Sequence, residues 1–196
     1  MTLKEKYGDE MVLAIPSRTV VCKGKGKGPG YWDDDIEFCT KKGVAKYRWE
    51  AETDPSYKQL VVYATIHSED FKTFVTHRLA GDSRLTGKHS IGTGGHVAPD
   101  ESMTEALFRE LREEVGLEVD DMILISRVGY ILDNSSDVNS VHLGVVYDIC
   151  VRDKYKVQIR ETEKLAGEWM DENSLAKLFH EGKLESWSEI AYMNAG

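Results

Sequence analysis

Between Gly95 and Leu117 the chain reads GHVAPDESMTEALFRELREEVGL, in which Glu110, Glu113 and Glu114 follow a glycine, an earlier acid and Arg109 at fixed intervals. On a helix, residues spaced i, i+3 and i+4 share one face, so the three carboxylates crowd together. Like charges so placed destabilise a helix, and position 114, where a basic residue would relieve Glu110, carries another glutamate. A hard divalent cation relieves the crowding instead. Oxygen-only ligands suit Mg²⁺ or Mn²⁺, and Mg²⁺ commonly takes one or two carboxylates together with substrate phosphates. The pattern therefore points to metal-dependent diphosphate chemistry.

The segment also carries its own start and stop. Ser102 and Glu105 have capping-box spacing, and Gly116 can take the left-handed conformation that ends a helix. The spacing predicts a helix from Met103 to Val115. Leu107, Leu111 and Val115 form a stripe rotated away from the acids, so one face packs while the other binds. Ala106, one turn before Glu110, leaves room that a longer side chain would fill. Arg109 is i, i+4 from Glu113 and follows Glu105 by the same interval, so it can orient a carboxylate without being a ligand.

Written as G-x5-E-x7-R-E-L-x-E-E-x-G-L, the arrangement has a chance probability below about one in ten million at a given start. At these residues the chain resembles the Nudix hydrolases, whose signature is matched at every defining position from Gly95 to Leu117. The resemblance implies that Glu110, Glu113 and Glu114 bind the metals, that Arg109 orients them, and that the backbone carbonyl of Gly94 adds a ligand. Glu101 fills the first acidic position. Thr93 stands where the family usually has a proline before the paired glycines, which leaves the local loop shape open. Downstream, Glu163 precedes Trp169 in EKLAGEWM, and this resembles the family pattern of a loop glutamate that completes the metal site or activates water. Glu161 and Glu168 are alternatives. Trp169 suits either the core or the edge of a site.

Composition agrees with an enzyme domain. With 196 residues, 41% hydrophobic and 30% charged, the chain can bury one full core, and a single domain is expected. The charged start MTLKEKYGDE and the lack of a long apolar run lead to the expectation of a cytoplasmic protein with no membrane span. Cys22, Cys39 and Cys150 are odd in number and lack paired spacing, so neither a disulfide framework nor a zinc site is suggested by the cysteines. A net charge of −9 argues against nucleic-acid polymers and anionic membranes as partners. A small diphosphate remains compatible, because bound divalent ions invert the local potential of a glutamate cluster.

The elements that must hold the helix are expected as follows. Met11–Ile15, Lys46–Glu50, Leu60–His67 and Thr73–Leu79 have strand character, Ser90–Val97 leads into the motif, and Ile123–Leu132 and Val141–Val151 form further strands about a polar turn, Asp133–Ser140. Asp171–Glu181 has a helical pattern. This order suits an α/β fold, and the resemblance implies the Nudix α/β/α sandwich, a mixed sheet between helices, with its core over residues 60–184. Residues 1–58 are less diagnostic and can supply an edge strand, a homodimer contact or part of a substrate pocket.

The glycine- and lysine-rich stretch Lys23–Gly30 is a basic loop able to close over phosphates, although its glycines do not match a P-loop. The following Asp33, Asp34 and Asp35 lack the remaining positions of a calcium loop. Arg78, Arg84, Lys88 and His89 precede the motif as candidate substrate contacts. Together these features lead to the expectation of a Mg²⁺- or Mn²⁺-dependent pyrophosphohydrolase acting on a nucleoside diphosphate linked to another group. Two rivals differ in class. Isopentenyl-diphosphate isomerases share the fold but use a cysteine just before the motif, where this chain has Gly94, Gly95 and His96. A nucleotide-binding regulatory module would tend to lose motif acids, and here all are present.

Overall fold

The computed structural model describes residues 1–23, 30–32, 40–79, 87–160 and 162–194. In chain order it forms α1 (Leu3–Tyr7), β1 (Met11–Pro16), α2 (Ser17–Lys23), β2 (Gly30–Trp32), β3 (Val44–Tyr47), α3 (Arg48–Ala51), β4 (Tyr57–Ser68) and β5 (Thr73–Arg78). There follow β6 (His89–Ser90), β7 (Gly92–Thr93), α4 (Met103–Val115), β8 (Met122–Leu132), β9 (His142–Val151), β10 (Leu165–Met170), α5 (Glu172–His180) and α6 (Ser186–Asn194). The fold is α/β, with a large sheet whose main strand order is β10-β5-β4-β9-β8-β2.

Strand β4 explains much of this order. Its side chains are buried almost without a break from Lys58 to Ile66, the pattern of a strand covered on both faces. Along it the approach to the motif is laid down. Ala64 and Thr65 pair with Thr93 and Gly92, Val61 bridges to His96, and the Val97 N–H donates to the Leu60 carbonyl at 2.9 Å.

By density of contacts the chain divides into two compact units. The first comprises Met1–Val62, Gly95–Ala106 and Gly129–Val146. Here β1 pairs antiparallel with β3, Met11 opposite Tyr47, and with the start of β4, Ala14 opposite Gln59. Its core holds Val12, Ile15, Leu60, Val97, Ile131 and Leu143, all buried. The expected strand at Lys46–Glu50 is corrected: the chain leaves β3 at Tyr47 and turns into the short helix α3. Arg48 makes that turn favourable, since its guanidinium reaches Glu10 at 2.9 Å and lies 4.4 Å from the Tyr7 ring centre.

The second unit comprises Tyr63–Gly94, Leu107–Val128 and Tyr147–Gly196. Strand β5 pairs with β10 from Thr73–Met170 to Arg78–Leu165. Phe74 and Trp169 pack with ring centres 5.3 Å apart, and the indole N–H of Trp169 donates to the Lys154 carbonyl at 3.2 Å, so this tryptophan is held by packing and a backbone acceptor. Asp171 caps α5, accepting the Ser174 N–H at 2.8 Å. Among the described residues no helix is long and apolar enough to cross a membrane. Of the lysine-rich stretch, residues 24–29 lie outside the described residues, as do Asp33, Asp34, Asp35 and Arg84.

Candidate active site

Helix α4 spans Met103–Val115, the range its signals predict. At its start the Ser102 N–H donates to Glu105 at 2.8 Å and the Glu105 N–H donates to the Ser102 hydroxyl at 3.2 Å, completing the capping box. Leu107, Leu111 and Val115 are buried, so the apolar stripe packs. Ala106 is fully buried as well. Gly116 has φ +69, the left-handed stop. The carbonyls left over at this end find partners from a later segment: the Gln158 N–H donates to the Val115 carbonyl and the Arg160 N–H to the Glu114 carbonyl, each at 2.9 Å.

On the other face the acids differ in exposure. The side chain of Glu110 is 13% exposed, that of Glu113 is 60% exposed, and the exposed end of the row faces solvent. Arg109 bridges them, donating to Glu110 at 2.6 Å and to Glu113 at 3.3 Å. Glu105 is drawn back to the helix start by its cap, and Arg109 takes Glu110 as well as Glu113, its expected i, i+4 partner. Burial raises the Glu110 pKa above the ordinary carboxylate range; Arg109 opposes this, and the neighbouring Glu114 and Glu113 add to it.

Glu114 is held from the loop before the motif. One carboxylate oxygen accepts the Gly94 N–H at 3.1 Å and also the Thr93 hydroxyl. Gly94 has φ +150, a conformation that favours glycine. The structure thus brings Gly94 to Glu114 through its N–H. Thr93 is a site residue that the motif did not announce. Its departure from the family proline was the available signal, because proline has no hydroxyl to offer a carboxylate.

The oxygen donors Glu110, Glu113 and Glu114 fit a hard divalent cation. A desolvated carboxylate flanked by two others, with an elevated pKa, is a group that gains from a nearby positive ion.

Other expected residues are placed as follows. Glu101 accepts the Ala98 N–H at 3.2 Å in the loop before α4. Glu163 is exposed in the turn entering β10, and Glu168 is exposed on that strand, while Glu161 lies outside the described residues. Arg78 pairs with Glu185 at 2.7 Å, Lys88 donates to the Gly182 carbonyl at 2.5 Å, and His89 stacks on His77 with ring centres 4.5 Å apart. These three have partners within the fold. Cys150 is a free thiol.

Against known families, residues 57–190 match the NUDIX domain. The chain belongs to the Nudix family. Membership brings the enzyme class expected from the motif, hydrolysis of phosphorus-containing acid anhydrides. This Nudix chain is 34% identical over 197 residues to Protein YmaB of Bacillus subtilis (strain 168), covering 93% of this chain and 95% of the relative. Its fold is similar to the crystal structure of the Nudix protein Tm1382, with TM-score 0.77, 24% identity and coverage of 93% of this chain and 96% of the other. It is also similar to DR0079 from Deinococcus radiodurans, with TM-score 0.63, 17% identity and coverage of 95% and 100%. The Nudix α/β fold expected from the sequence is therefore the observed one.

Proposed function

We propose that this Nudix enzyme is a divalent-cation-dependent pyrophosphohydrolase that cleaves a nucleoside diphosphate linked to another moiety, by attack of water at phosphorus. One observation carries the reading: Glu110, Glu113 and Glu114 share a helix face on which Arg109 orients two of them and Gly94 and Thr93 fix the third. In this reading Glu110, Glu113 and Glu114 hold Mg²⁺ or Mn²⁺, and the Gly94 carbonyl adds a ligand. When bound, the cation supplies charge neutralisation on the diphosphate oxygens and acidifies a bound water. Arg109 keeps Glu110 and Glu113 in orientation. The fixed Glu114 carboxylate costs no reorganisation when substrate arrives.

Glu163 is proposed to accept the proton from water or to complete the cation site. Its chain position supports this role. Arg160, three residues earlier, is bonded through its N–H to the Glu114 backbone, so Glu163 lies within about 10 Å of Arg160 along the chain. On the other side the Lys164 carbonyl accepts the Leu79 N–H at 2.8 Å, which anchors the turn. The lysines at positions 23, 25 and 27 are proposed to aid substrate affinity.

A phosphate-release assay over nucleoside triphosphates, nucleotide sugars, dinucleoside polyphosphates and dinucleotide cofactors, with products identified by mass, tests the reading. Turnover that stops in excess chelator is the expected result. Full activity in chelator removes the cation from the reaction, and binding without turnover across the panel favours a regulatory module.

A further inference from the structure

Away from the motif helix, within the first compact unit, Glu52, His96 and His142 converge so that one ligand atom from each lies within 4.8 Å of the others. The Nε2 atoms of His96 and His142 are 3.2 Å apart, and their rings are steeply tilted with centres 5.2 Å apart. Two nitrogens bound to one tetrahedral Zn²⁺ at about 2.0–2.1 Å stand about 3.3 Å from each other. The observed separation already matches that spacing. We propose that Glu52, His96 and His142 form a second metal site, selective for a borderline transition cation of the Zn²⁺ kind rather than for Mg²⁺.

The surroundings have the form such a site needs. A ligating histidine usually donates its other ring N–H to a fixed acceptor, which settles the tautomer and aims the lone pair. His142 has this partner: its Nδ1 lies 2.6 Å from the Val138 carbonyl. Donation there leaves Nε2 as the ligand atom. The Val138 carbonyl is in turn set by an ordered loop, in which Asp133 accepts the Ser135 N–H at 2.8 Å and the Asn139 amide at 2.6 Å. Lys58 adds a bond to Asn134 at 2.9 Å.

The other two ligands are equally anchored. His96 is fixed in the backbone by its bridge to Val61. Glu52 closes α3, and its carboxylate accepts the Arg48 Nε at 3.3 Å. The nearby guanidinium charge is offset by Glu10, 2.9 Å from Arg48. Two imidazoles and one carboxylate are a poor set for Mg²⁺ or Ca²⁺, which select oxygen, and a good one for Zn²⁺. Three protein ligands leave a coordination position for water or a small anion. The assignment does not depend on the proposed hydrolytic activity.

The test uses the full chain, stripped of metal and returned to millimolar Mg²⁺, which occupies oxygen-donor sites. Calorimetric titration with Zn²⁺ is expected to show one tight equivalent, weakened about 100-fold or more in His96→Gln and in His142→Gln and retained in Glu114→Gln. Because either histidine variant can misfold, X-ray absorption at the zinc edge of the wild-type protein gives an independent result, two imidazole ligands. Absence of Zn²⁺ binding in Mg²⁺, wild-type affinity in either histidine variant, or coordination by oxygen or sulfur alone would each overturn the proposal.

Discussion

The acidic face of α4 and the Glu52–His96–His142 cluster gather their donor side chains in opposite ways. In the first, one helix supplies all three carboxylates from neighbouring turns, and the fold adds Arg109, Thr93 and Gly94 to aim them. In the second, the end of a short helix, a bridging residue before α4 and the first residue of β9 each supply one ligand. A local set is hard and oxygen-rich, and a non-local one is softer and nitrogen-bearing. The contrast teaches that spacing along a helix reveals chemistry only when the helix does the gathering.

The sharpest way to break this contrast is to damage one set and read both. Glu114→Gln keeps the side-chain shape but removes its charge, and kcat is expected to fall on the order of 100-fold or more, with far-UV circular dichroism and the Zn²⁺ titration unchanged. Wild-type turnover would take Glu114 out of the centre. A parallel loss of Zn²⁺ binding would mean that the two sets are one.

Next in size is the comparison of Glu163→Gln with Glu161→Gln. A general base is worth roughly 100-fold or more, so the first variant should lower kcat by that order while KM changes little. The second should do less. A selective loss in Glu161→Gln would move the assignment to that residue, and near-wild-type kinetics in both would place the base elsewhere.

Thr93→Val sharpens the role of the loop. Removing a hydroxyl that orients a ligand carboxylate costs about 10-fold in cation affinity, read as a rise in the Mg²⁺ concentration for half-maximal rate, whereas Thr93→Ser should stay close to wild type. No change in the valine variant would show that the Gly94 N–H alone suffices.

The smallest effect is a control that involves neither set. Lys154, 2.7 Å away, and the Ser68 hydroxyl hold the exposed Asp70 carboxyl down at about 2. Its unfolded value is about 3.9, so the folded pKa is depressed and the stabilisation is present above that value and lost as pH falls through about 2. Melting curves of Asp70→Asn should run slightly below wild type near pH 6 and converge with it near pH 2. A gap that persists at pH 2 would assign the effect to something other than the ion pair.

The helix of the acidic site, with both of its ends, was visible in the sequence because capping, periodicity and ligand spacing are all local. The long strands were visible for a similar reason, as β4, β8 and β9 begin and end close to their expected bounds. Strand β10 escaped because Ala166, Gly167 and Glu168 are exposed, so no alternation marks it. At α3 the strand-like run through Tyr47 hid a turn whose cause, the Arg48 contacts with Glu10 and Tyr7, lies far away in sequence. His96 and His142 carry no shared spacing, and only the pairing of His96 with β4 and the loop before β9 bring their rings together.

The two N–H groups that close the end of α4 also have a bearing on motion. Gln158 and Arg160 satisfy carbonyls of Val115 and Glu114, so the backbone from 158 to 160 cannot swing away without exposing both amides and both carbonyls to solvent. Hydrogen exchange at these two amides therefore clocks the opening of that stretch. A ligand that engages Glu114 and Glu163 together should slow the exchange of both, giving a readout of occupancy at the acidic site in which no bond need be broken.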